Sequence, residues 1–228
     1  MDRMQRHPEI AAQTRAGGPR SRAELTRLLL ATVAVSCLVL GTGWPKDASA
    51  KDHVFVGVKK CKTCHKKEDI GNQYGVWLDA KHSKAFETLG GKKAAEWAAE
   101  AGVDDPQTDE KCLKCHVTAY GVPKELVDKR FDPTLGVQCE SCHGAGKDYR
   151  KKKIMIDQDL AISKGLIYPP KEDGCRSCHN DDSPAWKPDR YTLADGTKVG
   201  FDFEQAVKAI EHPVPEGYEP SVNDDEEE

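Results

Sequence analysis

Eight of the nine cysteines fall into four pairs with two residues between the partners: Cys61 and Cys64, Cys112 and Cys115, Cys139 and Cys142, Cys175 and Cys178. A histidine follows each pair at once, namely His65, His116, His143 and His179. Two thiols three positions apart can add to the two vinyl groups of one haem, and the adjoining histidine is then placed to bind the iron from the side of the thioether links. The four repeats therefore predict four covalently attached haem c groups, with eight cysteines as tethers and four histidines as proximal iron ligands. The rival chemistries fit less well. Structural zinc gives no reason for a histidine after every pair, and a disulfide across two residues closes too small a loop to stabilise much.

Four irons also have distal positions to fill. Beyond residue 50 the chain holds three further histidines, His53, His82 and His212, and one methionine, Met155. At least one iron therefore lacks a second histidine. A thioether is a recognised axial ligand, so Met155 competes for that place with His53 or with no ligand at all. Met155 also reads as a plain apolar side chain between Ile154 and Ile156.

Short elements have to position these residues. Over 69–89 the apolar side chains Tyr74, Trp77, Leu78, Ala85, Phe86 and Leu89 recur at three and four residues, which predicts one helix ended by Gly90 and Gly91. His82 lies four residues from both Leu78 and Phe86, on the apolar face of that helix, and reads as a distal ligand. A second short helix is predicted over 92–101, a loop over 118–136, and a small hairpin around Asp195 and Gly196 within 193–203. Phe203, Ala206, Val207 and Ile210 predict a last helix stopped by Pro213, with His212 at its end as another distal ligand. Gly144 and Gly146, directly after His143, read as places where backbone approaches the haem plane. The fold class expected is mainly α, short helices and loops wrapped around four haems with little sheet.

Composition agrees with a cofactor-filled interior. Hydrophobic residues are 38% of the chain and charged residues 32%, which is lean for a domain that must bury a side-chain core. Residues 1–27 are basic, 28–41 form an apolar run too short to span a bilayer at roughly 20 residues, and Ala48-Ser49-Ala50 offers a small-x-small cleavage site. Residues 1–50 thus read as a Sec signal peptide cleaved after Ala50 and leading to the periplasm, with the haem domain over 51–222 and a disordered acidic tail over 223–228. Removing residues 1–50 leaves 27 Lys and Arg against 34 Asp and Glu, a formal charge of −7, which argues against a nucleic-acid partner.

The order of these features resembles the tetrahaem cytochrome c554 family. The resemblance runs from Cys61–His65 through Trp77, Lys81-His82-Ser83-Lys84-Ala85, Cys112–His116 with Val117, and Gly136-Val137 before Cys139–His143 with Gly144-Ala145-Gly146. It continues through Cys175–His179, Ser183-Pro184-Ala185-Trp186 and the late His212, covering nearly all of the chain beyond residue 50. It implies a helical, haem-dense fold, three bis-histidine haems, distal roles for His82 and His212, and an open iron at the His116 haem. The family's further distal histidine after the third motif has no counterpart here, where the chain reads Lys147-Asp148-Tyr149-Arg150-Lys151-Lys152-Lys153.

The function expected is electron transfer between an exported donor and acceptor. The donor would be like a hydroxylamine oxidoreductase, as for the family's founding protein, or a membrane quinol-linked cytochrome. The alternative is a small nitrogen-oxide (nitric oxide) reductase at the open iron, for which Tyr120, Arg130 and Asp132 are the polar residues nearest in sequence. No catalytic residues are assigned.

Overall fold

The computed structural model describes residues 53–218; the expected signal peptide over 1–50 and acidic tail over 223–228 lie outside them. Ten short α-helices carry the described residues: α1 Val58–His65, α2 Gln73–Asp79, α3 Ala85–Thr88, α4 Lys92–Glu100, α5 Glu110–His116, α6 Glu140–His143, α7 Lys152–Met155, α8 Gln158–Ser163, α9 Glu172–Arg176 and α10 Phe203–Lys208. The sheet is one antiparallel pair, β1 Tyr191–Thr192 with β2 Lys198–Val199, in the register Tyr191 to Val199. This is the mainly helical, sheet-poor architecture expected. None of the described helices is long and apolar enough to cross a membrane.

Side chains from outside the helices cap several of them. Asn72, in the left-handed region at φ 42°, accepts from Gly75 N at α2, and Asp109 and Asp202 accept from Lys111 N and Gln205 N at α5 and α10. The first amides of α1 have no local cap. Val58 N donates instead to Gln138 Oε1 at 2.8 Å, while Val56 N and Gly57 N donate to the Glu140 carboxylate. Gly146 N completes the set at 2.6 Å from Glu140 Oε1. Gln138 and Glu140 are both 2% exposed. A buried carboxylate among backbone donors therefore fastens the first cysteine motif to the third. Burial pushes Glu140 above its ordinary pKa, and the three backbone donors oppose that.

One expected element divides. The 69–89 stretch is not a single helix: α2 ends as Ala80 turns extended at ψ 156°, a 3-10 turn Lys81–Lys84 follows, and α3 begins at Ala85. Ser83 Oγ donates to the carbonyls of Leu78 and Ala80 at 2.8 and 2.9 Å, which stabilises the break. His82 thus sits on the turn rather than in register with Leu78, which is 41% exposed. The remaining expectations fare better. The second helix covers 92–100, the loop over 118–136 holds two 3-10 turns, and the hairpin begins two residues earlier than anticipated, at Tyr191.

Buried apolar side chains among the described residues are few and mostly small, among them Val56, Val58, Val117, Ala145 and Ala161, with Tyr149 and Phe201 the buried aromatics. Around Phe201 the packing is tight. A Cβ on Gly200 would fall 1.9 Å from Trp186 Cζ2, so glycine there admits the indole.

Candidate haem-binding site

The first three motifs are presented by single helical turns, with Cys61 to His65 inside α1, Cys112 to His116 inside α5, and Cys139 capping α6, which runs to His143. The fourth begins in α9 and continues through the following turn to His179, whose N–H donates to Cys175 O at 2.9 Å. One helical turn brings both thiols and the imidazole to the same side, as attachment to one macrocycle requires. All eight cysteines are unpaired, and among the described residues no three His, Cys, Asp or Glu converge as a metal-ion cage would demand.

Four of the imidazoles have Nδ1 engaged. His116 Nδ1 hydrogen-bonds with Ala85 O at 2.6 Å, His143 Nδ1 with Ile167 O at 3.1 Å, His212 Nδ1 with Ile210 O at 2.8 Å, and His65 Nδ1 with Gln73 Oε1 at 3.1 Å. Engaging one ring nitrogen fixes the tautomer and leaves the other for a metal. His179 stacks on Phe201 with centroids 5.3 Å apart and planes 19° from parallel. Burial lowers the pKa of His82, His143 and His179, which favours the neutral imidazole, the form in which a histidine is able to bind a metal.

Two ring pairs stand out. His82 and His179 have centroids 6.1 Å apart, and His143 and His212 have centroids 6.0 Å apart, with interplanar angles of 70° and 82°. Two imidazoles that share one metal through Nε2, with bonds of about 2 Å, stand roughly 6 Å apart between centroids. The residues therefore fit haem iron bound on both faces by histidine. His82 reaches its place because Val137 N donates to His82 O at 2.9 Å, and because a Cβ on Gly136, φ +72°, would lie only 2.6 Å from that oxygen. Trp77 Nε1, donating to Val137 O at 2.8 Å, fixes the same strand of chain from α2.

The remaining candidates are placed apart from these pairs. His53 Nδ1 bonds with Asp148 Oδ2 at 2.8 Å. Met155 is half-buried at the end of α7. Arg130 pairs with Asp128, Asp132 with Lys59 and Thr134, and Tyr120 is 41% exposed, so these three form no cluster. Gly144, φ +77°, faces Gly165 O, and Gly146 faces Glu140. Sequence reasoning missed the roles of Glu140 and Gln138, and marked Gly136 only as part of the family resemblance. The glutamate between Cys139 and Ser141 was the only local signal.

The four motifs are not arranged in chain order. The thiols of Cys61 and Cys139 lie in interacting range of one another, as do those of Cys115 and Cys178, where the neighbour brings the Cys178 pKa down to about 6. Cys142 lies in electrostatic range of Cys175 and Cys178. The spatial sequence of thiols is first, third, fourth, second.

Known proteins resemble this chain. The family described as cytochrome c554 and c-prime matches residues 60–144. Cytochrome c-554 of Nitrosomonas europaea is 31% identical over 199 residues, covering 78% of this chain and 81% of its own. The multiheme cytochrome MtrA of Shewanella baltica is 28% identical over 132 residues, 54% of this chain and 38% of its own. No solved structure matches.

Proposed function

We propose, from the premise that this chain belongs to the cytochrome c554 family and is an electron-transferring c-type cytochrome with covalently bound haem, that it holds four haems and conducts electrons across the molecule in the order first, third, fourth, second. Bound haem iron supplies one-electron chemistry by cycling between its ferric and ferrous states. The chain's own residues do the rest. Cys61, Cys64, Cys112, Cys115, Cys139, Cys142, Cys175 and Cys178 tether, while His65, His116, His143 and His179 bind iron from the proximal side. His82 serves the iron of His179, and His212 the iron of His143; the 6.0 and 6.1 Å ring pairs are the observation that carries the assignment. His116 has no imidazole opposite it among the described residues, which supports an open position there.

Residues 1–50 act in this reading as an export signal and 51–222 as the haem domain working in the periplasm, between an exported donor, such as a hydroxylamine oxidoreductase-like enzyme or a membrane quinol-linked cytochrome, and an acceptor. Residues 223–228 add solubility. The intact mass should equal residues 51–228 plus four haems, and three or fewer in a host with active haem attachment would refute the tetrahaem reading. His82→Ala should turn one low-spin haem high-spin with the haem count unchanged; an unaltered spectrum would remove His82 from the ligand set.

Carriage of electrons is favoured over nitric oxide reduction because Arg130 and Asp132 are engaged with Asp128, Lys59 and Thr134. Steady-state nitric oxide consumption matching the rate of electron transfer to a partner would reverse that preference.

A further inference from the structure

We infer that Arg150 is a cofactor-contacting residue, its guanidinium being the ion-pair partner of a propionate carboxylate on a haem at the junction of the first and third motifs. The inference rests on the reading above of Cys61, Cys64, Cys139 and Cys142 as haem tethers. Its starting point is an orphaned donor. Arg150 Nε is buried and has no hydrogen-bond partner among the described residues. Buried polar groups in folded proteins are almost always paired, and one that carries charge is costly to leave alone.

The chain around Arg150 is held in place. Arg150 N donates to Gly146 O at 3.0 Å, and the preceding Tyr149 is buried with its hydroxyl donating to Gly144 O at 2.7 Å and to His143 O at 3.1 Å. The carboxylates close by in sequence and space are already engaged. Glu140 accepts from Val56 N, Gly57 N and Gly146 N, and Asp148 is bonded with His53 Nδ1 at 2.8 Å. The guanidinium lies in electrostatic range of Cys61, whose thiol is in range of Cys139, so the missing acceptor belongs where these two tethers meet. A c-type haem brings propionate carboxylates as its only anionic side groups. Guanidinium suits them, because its planar fork matches a carboxylate with two parallel N–H···O bonds and its weak hydration lowers the cost of burial. The residues present therefore fit the group, and the haems of the first and third motifs offer the same chemistry.

A cation beside a haem favours the ferrous state, since it attracts the electron that reduction adds. Arg150→Met removes the charge and keeps an unbranched side chain. In the holoprotein it should lower the midpoint potential of one haem by about tenfold in the reduction equilibrium, about 59 mV for a one-electron couple, with the haem count unchanged. Arg150→Lys should recover most of that shift, because it returns the charge without the fork. A potentiometric titration followed by electron paramagnetic resonance reads the haems separately. If the shifted signal is the one that His212→Ala abolishes, the carboxylate belongs to the third haem. If it is the one missing when Cys61 and Cys64 are both replaced by alanine, the carboxylate belongs to the first. A shift confined to any other signal would overturn the inference. Unmoved midpoints in Arg150→Met would overturn it as well, and so would equal shifts in the methionine and lysine variants, which would mark Arg150 as packing alone. A mass below four haems would overturn the four-haem reading by itself, and the inference falls with it only if peptide mapping finds haem on neither the first nor the third motif.

Discussion

In the proposed ligand set, a histidine is prepared for iron by having its other ring nitrogen spent. His65, His116, His143 and His212 each give Nδ1 to an acceptor, from Gln73 to the backbone of Ile210, so each Nε2 is aimed before any cofactor arrives. The four motif histidines could be proposed as proximal ligands from sequence because thioether chemistry dictates a fixed spacing. Glu140 was not legible, since its partners Val56 and Gly57 lie more than eighty residues away and contribute only backbone N–H groups. Removing its carboxylate strands three buried donors, each worth about 1–3 kcal/mol when unsatisfied. Glu140→Ala should therefore lower the unfolding free energy by roughly 2–5 kcal/mol. Glu140→Gln, which keeps one acceptor oxygen, should lose clearly less. Thermal melts of the holoprotein followed in the Soret band would check both, and equal losses would argue that the carboxylate matters only by its volume.

Among the elements, the informative one is the broken stretch from α2 to α3. Its apolar periodicity revealed which side chains face inward but not the extended Ala80, because the cause is a serine hydroxyl bonding back to Leu78 and Ala80 and a remote segment pressing on the turn. That segment is Gly136-Val137, which holds His82 O with an amide and with a backbone approach only glycine allows. Gly136→Ala would add both a left-handed strain of about 1–2 kcal/mol and a contact at 2.6 Å from His82 O. The turn should be displaced, and the low-spin signal of the His82 and His179 haem should weaken or convert, with all haems still attached. An unperturbed spectrum would mean that the turn absorbs the extra methyl elsewhere. Sequence pattern alone marked the glycine as part of the family resemblance, without its reason.

For the whole molecule, the shortage of buried apolar side chains sets the terms of stability. Val56, Val58, Val117 and Ala145 are too small to form the continuous core that a domain of this length needs, and the macrocycles must supply the missing apolar area. The chain produced without haem attachment, or with its eight motif cysteines replaced by alanine, should show little cooperative unfolding and much reduced helicity by circular dichroism. A sharp thermal transition in that chain would show that the polypeptide folds on its own. The lean composition made this dependence readable from sequence, whereas the pairing of Cys61 with Cys139 and of Cys115 with Cys178 was beyond it, for spacing along a chain carries no record of which loops close on one another. That pairing bears on biogenesis. As the polypeptide is made amino end first, its motifs come out as one, two, three and four, yet motif one has its neighbour only when motif three has arrived, and motif two must wait for motif four. A chain halted before Cys175 would leave the second motif with no companion beside it, so the last motif to be made is the one on which closure of the earlier half depends.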